Sequence, residues 1–238
     1  MSFYCALSLS RCLVLAADNK RRILEFGGRT GSGTAVQPVT LSDAKKIHAV
    51  AGGWWMTGVG LADFHRGVRR EMAGLADKWA PGKDAVRALL AHLEDGRRVA
   101  DRWERLAGDP GMDRPAEVEA AFRPANQEVV LARFDAQQGA CLVRFCGREG
   151  FRTRVYQGPG PILFAGDQEK GEDSGEVSRY LAGLLGRLGD LSAEAVADAS
   201  WERIPPLFRW LSARRPDHVG ATGDLVVLWE KGSRWLLF

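Results

Sequence analysis

The sequence has few cysteines, no long basic run and little net charge. Its four cysteines include no CxxC pair, and all of them fall in apolar stretches. We therefore expect reduced, buried cysteines in a cytoplasmic protein rather than disulfides or a metal centre. The formal net charge is +3, and the longest basic run is the three residues 20–22. Nucleic-acid-binding proteins concentrate positive charge more strongly, so we expect no nucleic-acid partner.

Long hydrophobic segments are absent as well. No stretch approaches the roughly 18 uninterrupted apolar residues of a membrane span. The apolar N-terminal run has no basic residue before it, is interrupted by Arg11 and is followed by the charged segment 18–22. This pattern does not fit a secretory signal peptide. We expect a cytoplasmic chain without a membrane partner.

Several enzyme motifs are also missing. The glycine-rich stretch 27–34 (GGRTGSGT) lacks the GK[ST] ending of a phosphate-binding loop, which favours a simple connection. There is no GxSxG motif of an internal serine hydrolase. The histidines show no HExxH or paired ligand spacing, and they are His48, His65, His92 and His218. We therefore expect neither a metal nor a cofactor.

Hydrophobic periodicity predicts an alternation of strands and helices. Short apolar, β-prone runs with turn residues between them predict strands at 3–9, 12–17, 23–26, 46–50, 54–59, 128–135, 140–146, 151–156 and 161–165. Apolar residues every three or four positions predict helices over 61–79, 86–106 and 174–188. A further helix starts near Ser192 and is expected to bend or break at Pro205-Pro206, before a hairpin of 224–229 and 233–238.

This order suggests stacked layers, because each sheet and each helix pair must bury one face. No repeat of 20–50 residues and no long linker interrupts the chain. We expect a single domain spanning 1–238, with one short helical turn in the proline-rich loop 109–126.

Three stretches carry a resemblance to a known family. Residues 12–22 (CLVLAADNKRR), 45–50 (KKIHAV) and 56–72 (MTGVGLADFHRGVRREM) are similar to segments of the proteasome β-subunit branch of the N-terminal-nucleophile hydrolases, which includes bacterial proteasome-like peptidases. The order of elements resembles that family over nearly the whole chain. The resemblance implies an α+β fold, a four-layer αββα sandwich with two mainly antiparallel sheets between helix layers.

The resemblance also implies a site. In that family the nucleophile is the first residue of the mature chain, and Asp18 lies at the expected sixteen positions after Ser2. Removal of Met1 would make Ser2 the nucleophile, with its own α-amine as the base, since such amines have a pKa near 7.7–8.0. Lys46 would be the electrostatic partner of Ser2, and Asp18 would orient Lys46.

Further site residues follow from the same comparison. The backbone N–H of Gly60 would donate to the oxyanion, with Gly58 as the alternative if the strand slips by one pair. The segment 217–223 (DHVGATG) resembles an Asp-x-x-Ser-Gly-Gly pattern. Asp217 fits its first position, while the serine position falls on Gly220 or, with a two-residue shift, on Thr222.

The function implied is hydrolysis of amide or peptide bonds in a peptide or protein substrate, by a homo-oligomer arranged as a ring or stack. The sequence departs from the family at its serine nucleophile and at residues 164–167 (FAGD), where a Gly-Ser-Gly-Ser-like stretch is expected. Two alternatives therefore stay open. One is a catalytically inactive proteasome-like scaffold or regulatory subunit, and the other is a small-molecule amidase on the same fold.

Overall fold

Ten strands form two five-stranded antiparallel sheets in the computed structural model, which describes residues 3–26, 36–41, 44–75, 85–109, 122–165 and 172–238. The first sheet contains β1 (Tyr4–Ser8), β2 (Leu13–Asp18), β10 (Ile162–Ala165), β11 (Gly223–Trp229) and β12 (Gly232–Leu237), in the order β10-β1-β2-β11-β12. The second contains β5 (His48–Ala49), β6 (Trp55–Val59), β7 (Glu128–Asp135), β8 (Gly139–Cys146) and β9 (Thr153–Gln157), in sequence order. The predicted α+β class is confirmed at this level.

A separate two-stranded hairpin joins β3 (Arg21–Phe26) to β4 (Val36–Leu41). The sequence predicted a strand at 23–26 but none at 36–41, where Pro38 argues against a central strand. In a hairpin of two strands both members are edges, so a proline is tolerated. The predicted glycine-rich connection at 27–34 lies outside the described residues.

The helices are α1 (Ala62–Ala73), α2 (Ala85–His92), α3 (Arg97–Ala107), α4 (Glu172–Leu188) and α5 (Ala193–Arg214). The prediction of one helix over 86–106 was wrong, because the chain turns between α2 and α3. Glu94, Asp95 and Gly96 all have positive φ there. A Cβ on Gly96 would lie 2.6 Å from the carbonyl oxygen of Phe151, so a tertiary contact determines this turn. Of the predicted helix 61–79, residues 76–79 lie outside the described residues.

The predicted start of α5 is confirmed, since the hydroxyl of Ser192 accepts a hydrogen bond from the backbone N–H of Ala195 at 3.2 Å. A break at Pro205-Pro206 was not found, because α5 continues through both prolines. These prolines remove hydrogen bonds to the carbonyls of Trp201 and Glu202, and both residues lie on the exposed side, where water can replace the bond. The predicted helical turn in 109–126 is present at Pro124–Asn126, while 110–121 lie outside the described residues.

Buried apolar residues group into three clusters. One contains Cys5 and Leu7 of β1 with residues of α4 and α5. A second contains Leu131 of β7 with residues of α1, α2 and α3. The third draws on both sheets, for example Leu15 of β2 and Val130 of β7. β1 and β2 are therefore buried on both sides, which explains why they read as nearly continuous apolar runs.

The four cysteines are all buried, as predicted. Within the described ranges, no helix combines the length and apolar character needed to cross a membrane.

Candidate functional site

Asp18 lies at the end of β2 and accepts hydrogen bonds from three separate parts of the chain. Its side chain is fully buried. Oδ1 accepts from the backbone N–H of Phe3 at 2.8 Å and from the Nζ of Lys46 at 2.8 Å. Oδ2 accepts from the backbone N–H of Gly220 at 3.0 Å. The structure thus brings Asp18 and Lys46 together in a charge-assisted hydrogen bond.

Lys46 lies just before β5 and contacts β2 and β11, two central strands of the first sheet. Its side chain is 13% exposed. Its backbone N–H donates to Oδ2 of Asp224 on β11 at 3.2 Å. Both ends of this lysine are therefore held by carboxylates that belong to adjacent strands of the first sheet, because Asp224 pairs with Ala17, the neighbour of Asp18.

Gly60 follows the last residue of β6, and its surroundings leave no room for a side chain. A Cβ at this position would lie 2.1 Å from Oε1 of Gln127, and the φ of Gly60 is 122°. Gln127 is fully buried, and its Oε1 accepts from the backbone N–H of Leu61 at 2.8 Å. Gly60 donates its N–H to no acceptor in the part of the chain that the structure describes. Gly58, the alternative, lies inside β6 opposite Val129.

His65 of α1 lies beside this strand end. Its Nε2 is 3.1 Å from the carbonyl oxygen of Val59. Burial lowers the pKa of His65 to about 4, and the nearby positive charge of Lys46 contributes to the same shift. His65 is therefore neutral at neutral pH. It lies close to Lys46 and also to the end of β6 just before Gly60.

The segment 217–223 reaches the same region through its backbone. Besides the Gly220 contact with Asp18, the carbonyl of Thr222 accepts from the backbone N–H of Asn19 at 3.1 Å. The side chains of Asp217 and Thr222 are exposed. The structure therefore brings the Thr222 backbone close to the end of β2, and places Asp217 on the solvent side of the same loop.

Ser2, the predicted nucleophile, lies outside the described residues. The first described residue, Phe3, donates its N–H to Asp18. Ser2 is bonded to that nitrogen, so one peptide bond separates the residue from the hydrogen bond.

Three residues of this region were missed by the sequence analysis: Asp224, Gln127 and His65. Asp224 and Gln127 stand at strand starts and look like ordinary turn-flanking polar residues. Their signal is burial, because both are nearly inaccessible to solvent, and burial cannot be read from a polar residue in one sequence. His65 was weighed only as a metal ligand.

No group of three or more potential metal ligands occurs among the residues with a described placement. Comparison with models of known protein families found no match, and neither did comparison with curated proteins.

Proposed function

We propose that the chain is a proteasome-like N-terminal-nucleophile hydrolase that cleaves amide or peptide bonds, with Ser2 as the nucleophile after removal of Met1. The observation that carries this proposal is the double contact on Asp18. One carboxylate oxygen accepts from both Lys46 Nζ and the Phe3 N–H, each at 2.8 Å. The proposed cation and the chain segment that bears the proposed nucleophile therefore share one buried acceptor.

The three core clusters support the finer fold that this class requires. One cluster combines residues of α4–α5 with residues of the first sheet, one combines residues of both sheets, and one combines residues of the second sheet with residues of α1–α3. An αββα sandwich has these three interfaces, in this sequence along its stack. We therefore include the four-layer arrangement in the proposal.

The chemistry assigned to these groups uses proximity and charge. The free α-amine of Ser2 would take the proton of its own hydroxyl, and Oγ would attack the substrate carbonyl carbon. The ammonium of Lys46 would disfavour protonation of the amine and stabilise the developing negative charge. The amine would then pass its proton to the leaving nitrogen, and water would hydrolyse the acyl-enzyme.

Gly60 is the proposed donor to the oxyanion. Its N–H has no acceptor within the described ranges, and Gln127 restricts the backbone around it. A preorganised backbone donor of this kind typically contributes about 3–4 kcal/mol to lowering the barrier. Asp217 and Thr222 are proposed as members of the supporting loop, which contacts Asp18 through Gly220.

The resemblance further supports a homo-oligomeric ring or stack in the cytoplasm, acting on peptides or proteins. Light scattering of the purified protein tests the assembly. A monomer would favour the small-molecule amidase, or the inactive scaffold if no activity is found.

Intact mass combined with active-site labelling tests the function. We expect the purified protein to lack Met1 and to react with an electrophilic β-lactone at one site. Labelling should disappear in Ser2→Ala and in Lys46→Met, and should persist in Ser10→Ala, which alters an exposed hydroxyl of the first hairpin. Retention of Met1 would rule out the mechanism and favour the inactive scaffold, and labelling that survives Ser2→Ala would rule out Ser2 as the nucleophile.

A further inference from the structure

Asp224 and Trp235 form a pair, here called the carboxylate–indole pair, that contacts the Lys45–Lys46 segment. We propose that Asp224 is a positioning residue that holds Lys46 in its orientation toward Asp18, and that Trp235 holds Asp224. This proposal rests on the proposed function. The four residues come from the start of the second sheet and from the last two strands of the first.

Both carboxylate oxygens of Asp224 are occupied by neutral N–H donors. Oδ2 accepts from the backbone N–H of Lys46 at 3.2 Å, and Oδ1 accepts from the indole Nε1–H of Trp235 at 3.1 Å. Asp224 is only 2% exposed. A buried carboxylate with both oxygens engaged has one orientation, so the Lys46 backbone has a rigid acceptor.

Trp235 also contacts the neighbouring lysine. The Nζ of Lys45 lies 3.6 Å from the centroid of the Trp235 ring, within the range of a cation–π contact. Lys45 therefore extends toward Trp235, while Lys46 extends toward Asp18. The carboxylate–indole pair thus contacts the backbone of one lysine and the side chain of the other.

Helix α1 holds the far end of the same segment. Arg69 donates from Nη1 to Nδ1 of His48 at 2.8 Å, which requires a neutral His48 ring. Burial and the positive charges of Arg69 and Lys45 lower the pKa of His48 to about 4, so this contact is maintained at neutral pH. Residues of β11, β12 and α1 all contact the segment 45–48. These neighbours therefore determine the orientation of the Lys46 side chain.

The geometry makes Asp224→Asn informative, because asparagine has the same shape but only one acceptor oxygen. In this variant the new NH2 group must face either the Lys46 N–H or the Trp235 N–H, and two donors then oppose each other. Replacing Trp235 with phenylalanine removes one of these donors. The double variant Asp224→Asn/Trp235→Phe therefore relieves the conflict that the single variant creates.

The first measurement is the rate of acylation by a β-lactone at saturating concentration. We expect Asp224→Asn to lower this rate by about 10- to 100-fold with little change in the half-saturating concentration, since small misplacements of catalytic groups cost up to about 100-fold. The double variant should recover most of the loss. Asp198→Asn is the matched control, because its exposed carboxylate pairs with Arg234 on β12 and does not contact the segment.

The second measurement does not need catalysis. In protein labelled with ¹⁵N-lysine, the Nζ resonance of Lys46 is assigned by its loss in Lys46→Met. We expect Asp224→Asn to shift this resonance, because the ammonium contacts Asp18 less well. Among the described residues, Asp18 and Asp224 accept hydrogen bonds from Lys46, and His65 lies close enough for the Lys46 charge to affect its pKa.

A folded Asp224→Asn protein with an unchanged Lys46 resonance and an unchanged acylation rate would overturn this inference. If that variant fails to fold, Trp235→Phe tests the same pair, and an unchanged Lys46 resonance there would overturn it as well. Absence of acylation in the wild type would instead refute the proposed function, and the Lys46 resonance would still decide the role of Asp224.

Discussion

Gly60 illustrates how a single residue can be restricted by its surroundings. Its positive φ of 122° and the distance of only 2.1 Å that would separate a Cβ from Gln127 Oε1 are two independent obstacles to any side chain. We expect Gly60→Ala to lower the free energy of unfolding by about 2–5 kcal/mol, from backbone strain plus overpacking. Urea denaturation measures the stability, and β-lactone labelling should fall in the same variant.

Gly139 provides the matched control for Gly60. Its φ is also positive, at 74°, but a Cβ there would have no neighbour within 4 Å. Gly139→Ala should therefore cost only the backbone term, about 1–2 kcal/mol, and leave labelling intact. Equal losses in the two variants would show that Gln127 adjusts freely and that the Gly60 backbone is not restricted by it.

At the same scale, the sequence allowed prediction of some contacts and not of others. The contact between Asp18 and Lys46 could be predicted from the sequence. An aspartate at a strand end and a lysine at a strand start lie at positions that resemble those of a known family. The contact of Lys46 with Asp224 joins residues 178 positions apart. No periodicity or local motif encodes such a pairing, because it depends on how β11 lines up with β2. Ser2 lies outside the described residues, so its role stays a prediction.

The two prolines in α5 show how an element can tolerate a residue that normally interrupts it. Pro206 is exposed, whereas Pro205 is buried. Apolar neighbours such as Ile204, Leu207 and Phe208 keep the helix packed on both sides of the prolines. Tertiary packing therefore maintains a helix that local propensity would break.

Pro206→Ala should stabilise the protein. The change restores one backbone hydrogen bond to Glu202, and proline costs about 3 kcal/mol relative to alanine inside a helix. Greater freedom of the unfolded chain offsets part of this gain. We expect a net increase of about 1–2 kcal/mol in the free energy of unfolding, measured in urea. Pro205→Ala should gain less, since it also removes buried ring contacts. No gain in Pro206→Ala would mean that the prolines cause no loss of helix stability.

Strands were predicted better than helix ends for a physical reason. The hairpins of β7 with β8 and of β11 with β12 depend on local turns and neighbouring strands, and their predicted bounds differ from the observed ones by at most one residue at each end. The turn between α2 and α3 depends on the approach of Phe151, about fifty positions away in the sequence. Local pattern therefore could not locate it.

Across the whole molecule, the two sheets are joined by a buried polar contact as well as by apolar packing. The hydroxyl of Tyr4 on β1 donates to Oε1 of Glu128 on β7. Arg144 on β8 donates to the other oxygen of Glu128 at 2.6 Å. Burial, and then the charge of Glu128, raise the pKa of Tyr4 well above its usual value. Tyr4 is therefore a neutral donor across the working pH range.

This contact predicts a coupling between the sheets. Tyr4→Phe leaves a buried carboxylate oxygen without its donor, which should cost about 1–3 kcal/mol. If the hydroxyl acts through Glu128, the combination with Glu128→Gln should depart from additivity by about 0.5–3 kcal/mol in a double-mutant cycle measured by urea denaturation. Tyr156→Phe is the control. Tyr156 packs against the apolar cluster that contains Tyr4 and draws on both sheets, and its hydroxyl has no hydrogen-bond partner within the described ranges. Additive losses would mean that the Tyr4–Glu128 hydrogen bond does not couple the two sheets, since Tyr4 would then contribute only its ring.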